Sequence, residues 1–236
     1  MARGRENVVS YTGTIPDEFE VMEMDTLSRI LERKIVCIVR GLEPAYLKSL
    51  AEALLEGGID LMEVTFVQKD PSSWKGTQEG IAAVSRHMEG KMLVGAGTVL
   101  TEEQLLMARD GGAKYIITPN TNPALIRKVK ELGLISMPGA MTPSEAVAAW
   151  ENGADIVKIF PAGTLGPDYI KAIRAPLSQI PLMAVGGVNE KNCAGFLAAG
   201  CCGIGVGGGL VNKEWIMNGE WDKIIALARE YRKAVG

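Results

Sequence analysis

The chain has 236 residues, 47% of them hydrophobic, which is enough to fill the core of one barrel-sized domain. Its net charge of −3 gives no reason to expect nucleic acid as a partner. No apolar run reaches the roughly 18 residues of a membrane span, and the first residues show no signal-peptide core. We therefore expect a cytoplasmic protein with no membrane partner.

The counts of cysteine and histidine argue against metal and histidine chemistry. The cysteines are Cys37, Cys193, Cys201 and Cys202, and none forms a CxxC pair. With His87 as the only histidine, a zinc site or a histidine-based triad is nearly excluded, so we expect no metal site. We interpret the cysteines as reduced core thiols and His87 as a surface side chain. The chemistry is therefore expected to depend on Lys, Glu or Arg.

A pattern repeats along the chain: a helix-like segment, a glycine and then a short apolar run. A glycine in the left-handed conformation ends a helix and lets the chain turn directly into a buried strand. The apolar runs are rich in Val and Ile, as is typical of strands covered on both faces. Eight strands are predicted, at residues 35–40, 61–66, 92–98, 115–120, 135–140, 156–161, 182–188 and 201–207.

Helices are predicted between these strands, and three of them have clear start signals. Thr101 precedes Glu-Glu-Gln, Asn122 precedes a proline at the first helical position, and Thr142 is followed by a glutamate three residues later. Eight alternations of strand and helix favour a (β/α)8 TIM barrel over an open sheet. We interpret residues 1–16 as an irregular extension and residues 17–236 as one domain, whose first helix, at about 17–33, closes the barrel bottom.

In such barrels the chemistry lies at the C-terminal ends of the strands, and Lys158 is the most informative residue there. It lies in the sixth predicted strand, between apolar residues on both sides. A buried lysine is costly unless it is paired or uncharged, and an uncharged lysine can attack a ketone. A structural ion pair, or a lysine that reaches out of the barrel mouth, fits the same pattern.

Glu63 and Arg40 add to the case for a site. Glu63 is a lone acid among apolar residues of the second strand, and Arg40 ends the first strand. Glu63 and Lys158 could simply neutralise each other, or they could be an amine nucleophile beside its general acid/base. Arginine is suited to binding a carboxylate through two parallel hydrogen bonds.

Two glycine pairs follow the seventh and eighth strands: Gly186-Gly187 and Gly207-Gly208. In barrels this is the usual location of a phosphate site built from backbone N–H groups. Glycine allows the backbone to approach the anion closely. The pattern therefore predicts a phosphate-binding site at these four residues.

Five motifs, in order and spacing, resemble the 2-keto-3-deoxy-6-phosphogluconate (KDPG) and 4-hydroxy-2-oxoglutarate (KHG) aldolases. They are EVT at 63–65, GAGTV at 95–99, MPG at 137–139, VKIFPA at 157–162 and GGV at 186–188. The resemblance extends from about residue 35 to residue 211. It implies a class I aldolase of carbohydrate metabolism, in the Entner–Doudoroff route, that needs no metal or cofactor and usually forms a homotrimer.

The resemblance also implies the reaction and the roles of residues. The enzyme would cleave KDPG to pyruvate and glyceraldehyde 3-phosphate, and also 4-hydroxy-2-oxoglutarate to pyruvate and glyoxylate. Lys158 would form the Schiff base with C2 of the keto acid, and Glu63 would be the acid/base, acting through a water. Thr98 and Pro119 would line the carboxylate pocket, and Phe160 would pack against the bound carbons.

The sequence departs from the family pattern at two positions. Val67 lies where many relatives have an arginine four residues after the glutamate, and Arg40 matches an arginine of another branch. Gly208 replaces a serine of the last phosphate turn, so that phosphate would be bound by backbone N–H groups without that hydroxyl. Residues 166–172 and 184–187 also resemble the 6-phosphogalactonate (KDPGal) branch, which leaves the C4 configuration of the substrate open.

Two functions of other classes stay open at this point. A barrel isomerase or phosphate-dependent synthase could use Glu63 as a proton-abstracting base, with Lys158 as a charge only. A non-catalytic barrel could bind a phosphorylated metabolite without turnover. Trapping of a pyruvate adduct on Lys158 separates the aldolase from both.

Overall fold

The computed structural model describes residues 25–236. In this part of the chain, parallel strands alternate with helices, and two short 3-10 turns precede α2 and α3. The strands are β1 Ile35–Val39, β2 Leu61–Thr65, β3 Leu93–Gly97, β4 Tyr115–Ile117, β5 Ile135–Met137, β6 Gly139–Ala140, β7 Val157–Ile159, β8 Leu182–Val185 and β9 Gly203–Val206. The α-helices are α1 Thr26–Arg33, α2 Leu47–Glu56, α3 Trp74–His87, α4 Glu102–Asp110, α5 Pro123–Glu131, α6 Pro143–Glu151, α7 Ala162–Arg174, α8 Cys193–Ala198, α9 Lys213–Met217 and α10 Trp221–Val235.

The strands form a barrel in the order β5-β4-β3-β2-β1-β9-β8-β7-β6, with every pair parallel. β5 and β6 are the two halves of the predicted fifth strand, so the barrel has eight positions, and the predicted (β/α)8 barrel is confirmed. The prediction of one continuous strand at 135–140 is wrong because Pro138 has no N–H to donate to a ladder. β5 pairs with β4 before Pro138, and β6 pairs with β7 after it.

Seven of the eight predicted strands extend too far at their C-terminal ends. The surplus residues leave the sheet and form the loops at the top of the barrel, among them Arg40, Thr98 and Pro119. Thr98, Gly186 and Gly187 have positive φ angles of 54°, 85° and 74°, which a strand does not allow. The apolar pattern therefore located each strand but not the residue at which the backbone turns towards the top of the barrel.

The interior of the barrel is a separate hydrophobic cluster, closed at the bottom by α1. Ile30, Leu27 and Leu31 of α1 pack against this cluster. Arg29 and Arg33 both bind the buried carboxylate of Asp60, at 3.0 and 2.7 Å, just before β2 begins. The predicted capping of the barrel bottom is thereby confirmed. The predicted start of this helix at residue 17 and the predicted extension 1–16 lie outside the described residues.

Glycines on β3 leave room for large side chains inside the barrel. A Cβ on Gly95 would lie 2.2 Å from the ring of Tyr115, which is fully buried and donates its hydroxyl hydrogen to the Met62 carbonyl at 2.8 Å. Large side chains of the interior cluster, Tyr115 among them, therefore fill the barrel at this layer.

The predicted helix starts are confirmed. Thr101 and Thr142 form capping boxes with Gln104 and Glu145, and Asn122 caps α5, which begins at a proline. These caps fix where each helix leaves the loop above it.

The cysteines and the histidine lie as predicted. Cys37, Cys193 and Cys201 are buried, Cys202 is partly buried, and none is in a disulfide. His87 is exposed beside Glu52, with 2.7 Å between its Nε2 atom and a carboxylate oxygen. Over residues 25–236, no helix is long and apolar enough to cross a membrane.

Candidate active site

A cavity of about 740 Å³ opens at the top of the barrel, where the strands end. Its walls come from the strands and from the loops that follow them. All ten site residues predicted from the sequence line it: Lys158, Glu63, Arg40, Thr98, Pro119, Phe160, Gly186, Gly187, Gly207 and Gly208. The structure thus brings the predicted residues together around one cavity, and their roles stay predictions.

Lys158 lies in the middle of β7, between Gly139 of β6 and Met183 of β8 in register. Its side chain is 6% exposed, and Nζ lies 4.9 Å from the centre of the Phe160 ring. No carboxylate oxygen of residues 25–236 lies within 4.0 Å of Nζ, so no ion pair in this part of the chain explains the lysine.

The surroundings of Lys158 favour the uncharged amine. Burial lowers the pKa of Lys158 below its ordinary value of 10.5. Among the neighbouring charges, Glu63 raises this pKa and Arg40 lowers it. Burial dominates, so a larger fraction of Lys158 is a free amine near neutral pH than for a lysine in water.

Glu63 lies on β2, between Ile38 of β1 and Gly95 of β3. It is 1% exposed, and its Oε2 atom has no hydrogen-bond partner among the described residues. Burial raises the pKa of the Glu63 carboxyl, whereas Lys158 and then Arg40 lower it. Glu63 also lines the cavity, so its carboxyl is placed to exchange a proton with a ligand or a water there.

The backbone of β3 makes room for Glu63. A Cβ on Gly97 would lie 1.5 Å from Oε1 of Glu63, which no side chain could tolerate without displacing the carboxylate. Gly97 pairs in register with Thr65, two residues after Glu63 on the same strand. The motif around Gly97 therefore has a physical reason: glycine has no Cβ that would clash with the Glu63 carboxylate.

Arg40 and Thr98 form a pair of hydrogen-bond donors at one side of the cavity. The Arg40 Nη2 atom donates to Thr98 Oγ1 at 3.1 Å. Thr98 has φ 54°, a conformation that costs a β-branched residue about 1–3 kcal/mol and is held only by its surroundings. Val67, four residues after Glu63, does not line this cavity, so Arg40 provides the guanidinium there.

The glycine turns follow β8 and β9, and the second of them lies next to Arg40 because β9 pairs with β1. Gly186 and Gly187 both have positive φ, and their carbonyls accept hydrogen bonds from Gly163 N at 2.7 Å and Asn192 Nδ2 at 2.9 Å. A Cβ on Gly163 would lie 2.7 Å from the Gly187 Cα atom, so the start of α7 packs directly on this turn. The turn is therefore held rigidly at the edge of the cavity.

Several lining residues were not predicted. Ile38 and Val185 line the cavity. Strand register could have pointed to them, because Ile38 pairs with Glu63 and Val185 pairs with Gly205. Asn189 also lines the cavity, from the loop after β8, where no periodic signal exists.

Comparisons with known proteins agree with this architecture. The family model described as "KDPG and KHG aldolase" matches residues 27–227. A probable 2-dehydro-3-deoxy-6-phosphogalactonate aldolase of Rhizobium meliloti is 39% identical over 181 residues, 76% of this chain and 82% of the relative. The corresponding Escherichia coli aldolase is 35% identical over 202 residues, 85% of this chain and 96% of the relative.

Solved structures agree as well. A native KDPGal structure superposes with a TM-score of 0.76 at 35% identity, over 85% of this chain and 93% of that one. A KDPG aldolase of Legionella pneumophila, with pyruvate captured as a covalent carbinolamine, has a TM-score of 0.74 at 28% identity, over 83% and 92%. The chain therefore belongs to the KDPG and KHG aldolase family and is a class I aldolase on a (β/α)8 barrel.

Proposed function

We propose that this aldolase binds its keto acid as a Schiff base on Lys158 and releases pyruvate from a phosphorylated 2-keto-3-deoxy sugar acid. The primary substrate proposed is KDPG, which yields pyruvate and glyceraldehyde 3-phosphate. Cleavage of 4-hydroxy-2-oxoglutarate to pyruvate and glyoxylate is the proposed secondary activity. One observation carries the proposal: a buried amine without an ion pair and a buried, unpartnered carboxylate line the same cavity.

The first steps follow from the amine. Neutral Lys158 attacks C2 of the keto acid to give a carbinolamine, and loss of water gives an iminium ion. The iminium accepts the electron pair of the C3–C4 bond when that bond breaks, which leaves an enamine of pyruvate on the lysine. Hydrolysis of the adduct then releases pyruvate and restores the amine.

The proton transfers are assigned to Glu63. Its carboxylate, acting through a water, accepts the proton of the C4 hydroxyl as the C3–C4 bond breaks and returns a proton to C3 of the enamine. A carboxyl whose pKa is raised by burial is suited to both directions of transfer, because its two protonation states then lie closer in free energy at neutral pH.

Charged and aromatic neighbours are proposed to orient the substrate. Arg40 and Thr98 would bind the carboxylate next to the reacting ketone, and Pro119 would line the same pocket. Phe160, whose ring lies beside the Lys158 amine, would pack against the bound carbons. The site needs no metal in this mechanism because the iminium itself stabilises the carbanion.

The phosphate is proposed to bind at the glycine turns, formed by Gly186, Gly187, Gly207 and Gly208. These turns line the same cavity as Lys158, and its volume of about 740 Å³ is within the range of small-molecule sites. Binding would rest on backbone N–H groups, since Gly208 supplies no hydroxyl.

KDPGal is the second candidate substrate, and one observation favours it. The two relatives named as galactonate aldolases are 39% and 35% identical to this chain, whereas three relatives named as gluconate aldolases are 30–33% identical. Pyruvate release from the gluconate and galactonate epimers, each with and without the 6-phosphate, separates these proposals. Equal kcat/KM with and without phosphate contradicts the proposed phosphate site. No pyruvate from any of the four compounds contradicts the substrate class.

The Gly97→Ala variant tests the placement of Glu63. The added methyl group occupies the position of Oε1, so the carboxylate must move, and we expect the barrel to fold and kcat to fall about 100-fold. Gly76→Ala is the matched control, because a Cβ there meets nothing within 4 Å. Steady-state kinetics of both variants checks this, and unchanged kcat in the Gly97 variant contradicts the assigned position of the acid/base.

We propose in addition a cytoplasmic homotrimer, as the family resemblance implies. The expected result of analytical ultracentrifugation is one species of about three times the mass of the 25.3 kDa chain. A monomer at micromolar concentration contradicts the trimer.

A further inference from the structure

A chain of amide hydrogen bonds connects the start of α4 to Thr98. Gln104 is fully buried, and its Oε1 atom accepts from the backbone N–H groups of Leu100 at 2.7 Å and Thr101 at 3.3 Å. The Gln104 Nε2 atom donates to Gln68 Oε1 at 3.0 Å. The Gln68 Nε2 atom in turn donates to the Thr98 carbonyl at 2.5 Å.

The direction of this chain is determined at both ends by the backbone. Two N–H groups can only donate, so they fix the oxygen of Gln104 and leave its amide nitrogen facing Gln68. Gln68 must then present its oxygen to Gln104 and its nitrogen to the Thr98 carbonyl, which can only accept. No orientation of either amide other than this one satisfies all four contacts.

Thr98, at the end of this series of hydrogen bonds, has a conformation that needs support. Thr98 is held at φ 54°, where a β-branched residue is strained, and its Oγ1 accepts from Arg40 at the side of the cavity. In the more relaxed β region the same threonine would direct its side chain elsewhere, and Arg40 would lose its partner.

We infer that Gln68 and Gln104 are positioning residues for the keto-acid carboxylate: they hold Thr98 in its left-handed conformation so that Thr98 and Arg40 bind the carboxylate together. Neither glutamine lines the cavity that holds Lys158 and Glu63, and Gln68 lines an adjoining one together with Arg40. The inference rests on the proposed function, in which Thr98 and Arg40 bind this carboxylate.

The Gln104→Glu variant separates this role from helix stability. The carboxylate keeps the two acceptor contacts at the start of α4, where a negative charge is favourable, so the cap is retained. In its ionised form it cannot donate to Gln68, whose amide is then expected to turn and place its oxygen against the Thr98 carbonyl. Gln68→Met removes the donor directly, and Gln179→Met, at an exposed loop position, is its matched control.

The measurement is borohydride trapping of pyruvate as a function of pyruvate concentration. Loss of a positioning hydrogen bond of about 1.4 kcal/mol corresponds to a tenfold change in binding, so we expect half-saturation to rise about tenfold in both variants. The trapping rate at saturating pyruvate is expected to change far less, because the Lys158 amine that forms the adduct is untouched. Gln179→Met is expected to match the wild type.

A Gln68→Glu variant adds a pH readout. Its carboxyl can donate to the Thr98 carbonyl only when protonated, so half-saturation, relative to the wild type at the same pH, is expected to improve as the pH falls. A merely structural loss would leave this ratio independent of pH.

Crystal structures of the wild type and of Gln104→Glu provide a test that does not depend on the chemistry. Thr98 is expected to leave the left-handed region or lose its contact with Arg40 in the variant. Unchanged Thr98 geometry together with unchanged half-saturation overturns the inference. If the wild type forms no adduct at all, the proposed function fails, whereas the Thr98 geometry still decides whether the glutamines position it.

Discussion

Replacing Lys158 by methionine is expected to lower the rate of pyruvate release by roughly 10⁵-fold or more, the loss typical of removing a covalent nucleophile. Methionine has nearly the same length as lysine and no amine, and the site around position 158 is apolar and buried. Without the amine no iminium can form, so the electron pair of the C3–C4 bond has no acceptor. Steady-state kinetics of the purified variant gives the measurement.

The same variant is expected to be at least as stable as the wild type. Lys158 has no carboxylate partner within 4.0 Å among residues 25–236, so its replacement leaves no orphaned charge there and removes the cost of burying an amine. Thermal unfolding of both proteins provides the control. A folded Lys158→Met protein that retains a rate within tenfold of the wild type contradicts the Schiff-base mechanism.

The second large effect is expected for Glu63→Gln. Exchange of the pyruvate methyl protons with solvent should slow about 100-fold or more, the usual contribution of a positioned acid/base. The amide is similar in shape to the carboxyl, so the cavity keeps its geometry. Because the amide cannot accept a proton, the variant loses the acid/base alone. Proton exchange is followed by NMR in deuterated water.

Borohydride trapping of the pyruvate adduct on Lys158 is the control for the Glu63→Gln variant. Its pH dependence follows the pKa of Lys158. Glu63 raises this pKa, so its removal should lower it further, and the pH midpoint of borohydride trapping should move down from its wild-type position below 10.5. Trapping therefore persists at neutral pH while proton exchange is slow. Exchange at the wild-type rate in this variant would assign the acid/base role to another group.

The fold could be predicted from the sequence because each barrel unit repeats the same signals. Val- and Ile-rich runs located every strand, and capping residues such as Thr101 and Thr142 located the helices. Strand ends could not be predicted, because apolar residues continue past the last ladder hydrogen bond. The division of the fifth strand at Pro138 could be predicted only in part. A proline in a buried run predicts a gap in the hydrogen-bond ladder, but not that β5 pairs with β4 and β6 with β7.

The candidate site could be predicted where a charged residue lies within an apolar strand, because burying a charge there is costly unless it serves a function. Lys158 and Glu63 stood out by that criterion, and the order of strands placed them at one end of the barrel. Gln68 and Gln104 did not stand out, since a glutamine in a loop or at a helix start is common on any protein surface. Their connection depends on a positive φ at Thr98 and on the proximity of two loops, and neither leaves a periodic signal in the sequence.

The most direct test of the central claim is to treat the protein with pyruvate and borohydride and to map the product by peptide mass spectrometry. We expect irreversible loss of activity and a three-carbon carboxyethyl group on Lys158, with no modification when pyruvate or borohydride is left out. An unmodified Lys158 at saturating pyruvate, or an adduct on another lysine that accounts for the lost activity, contradicts it.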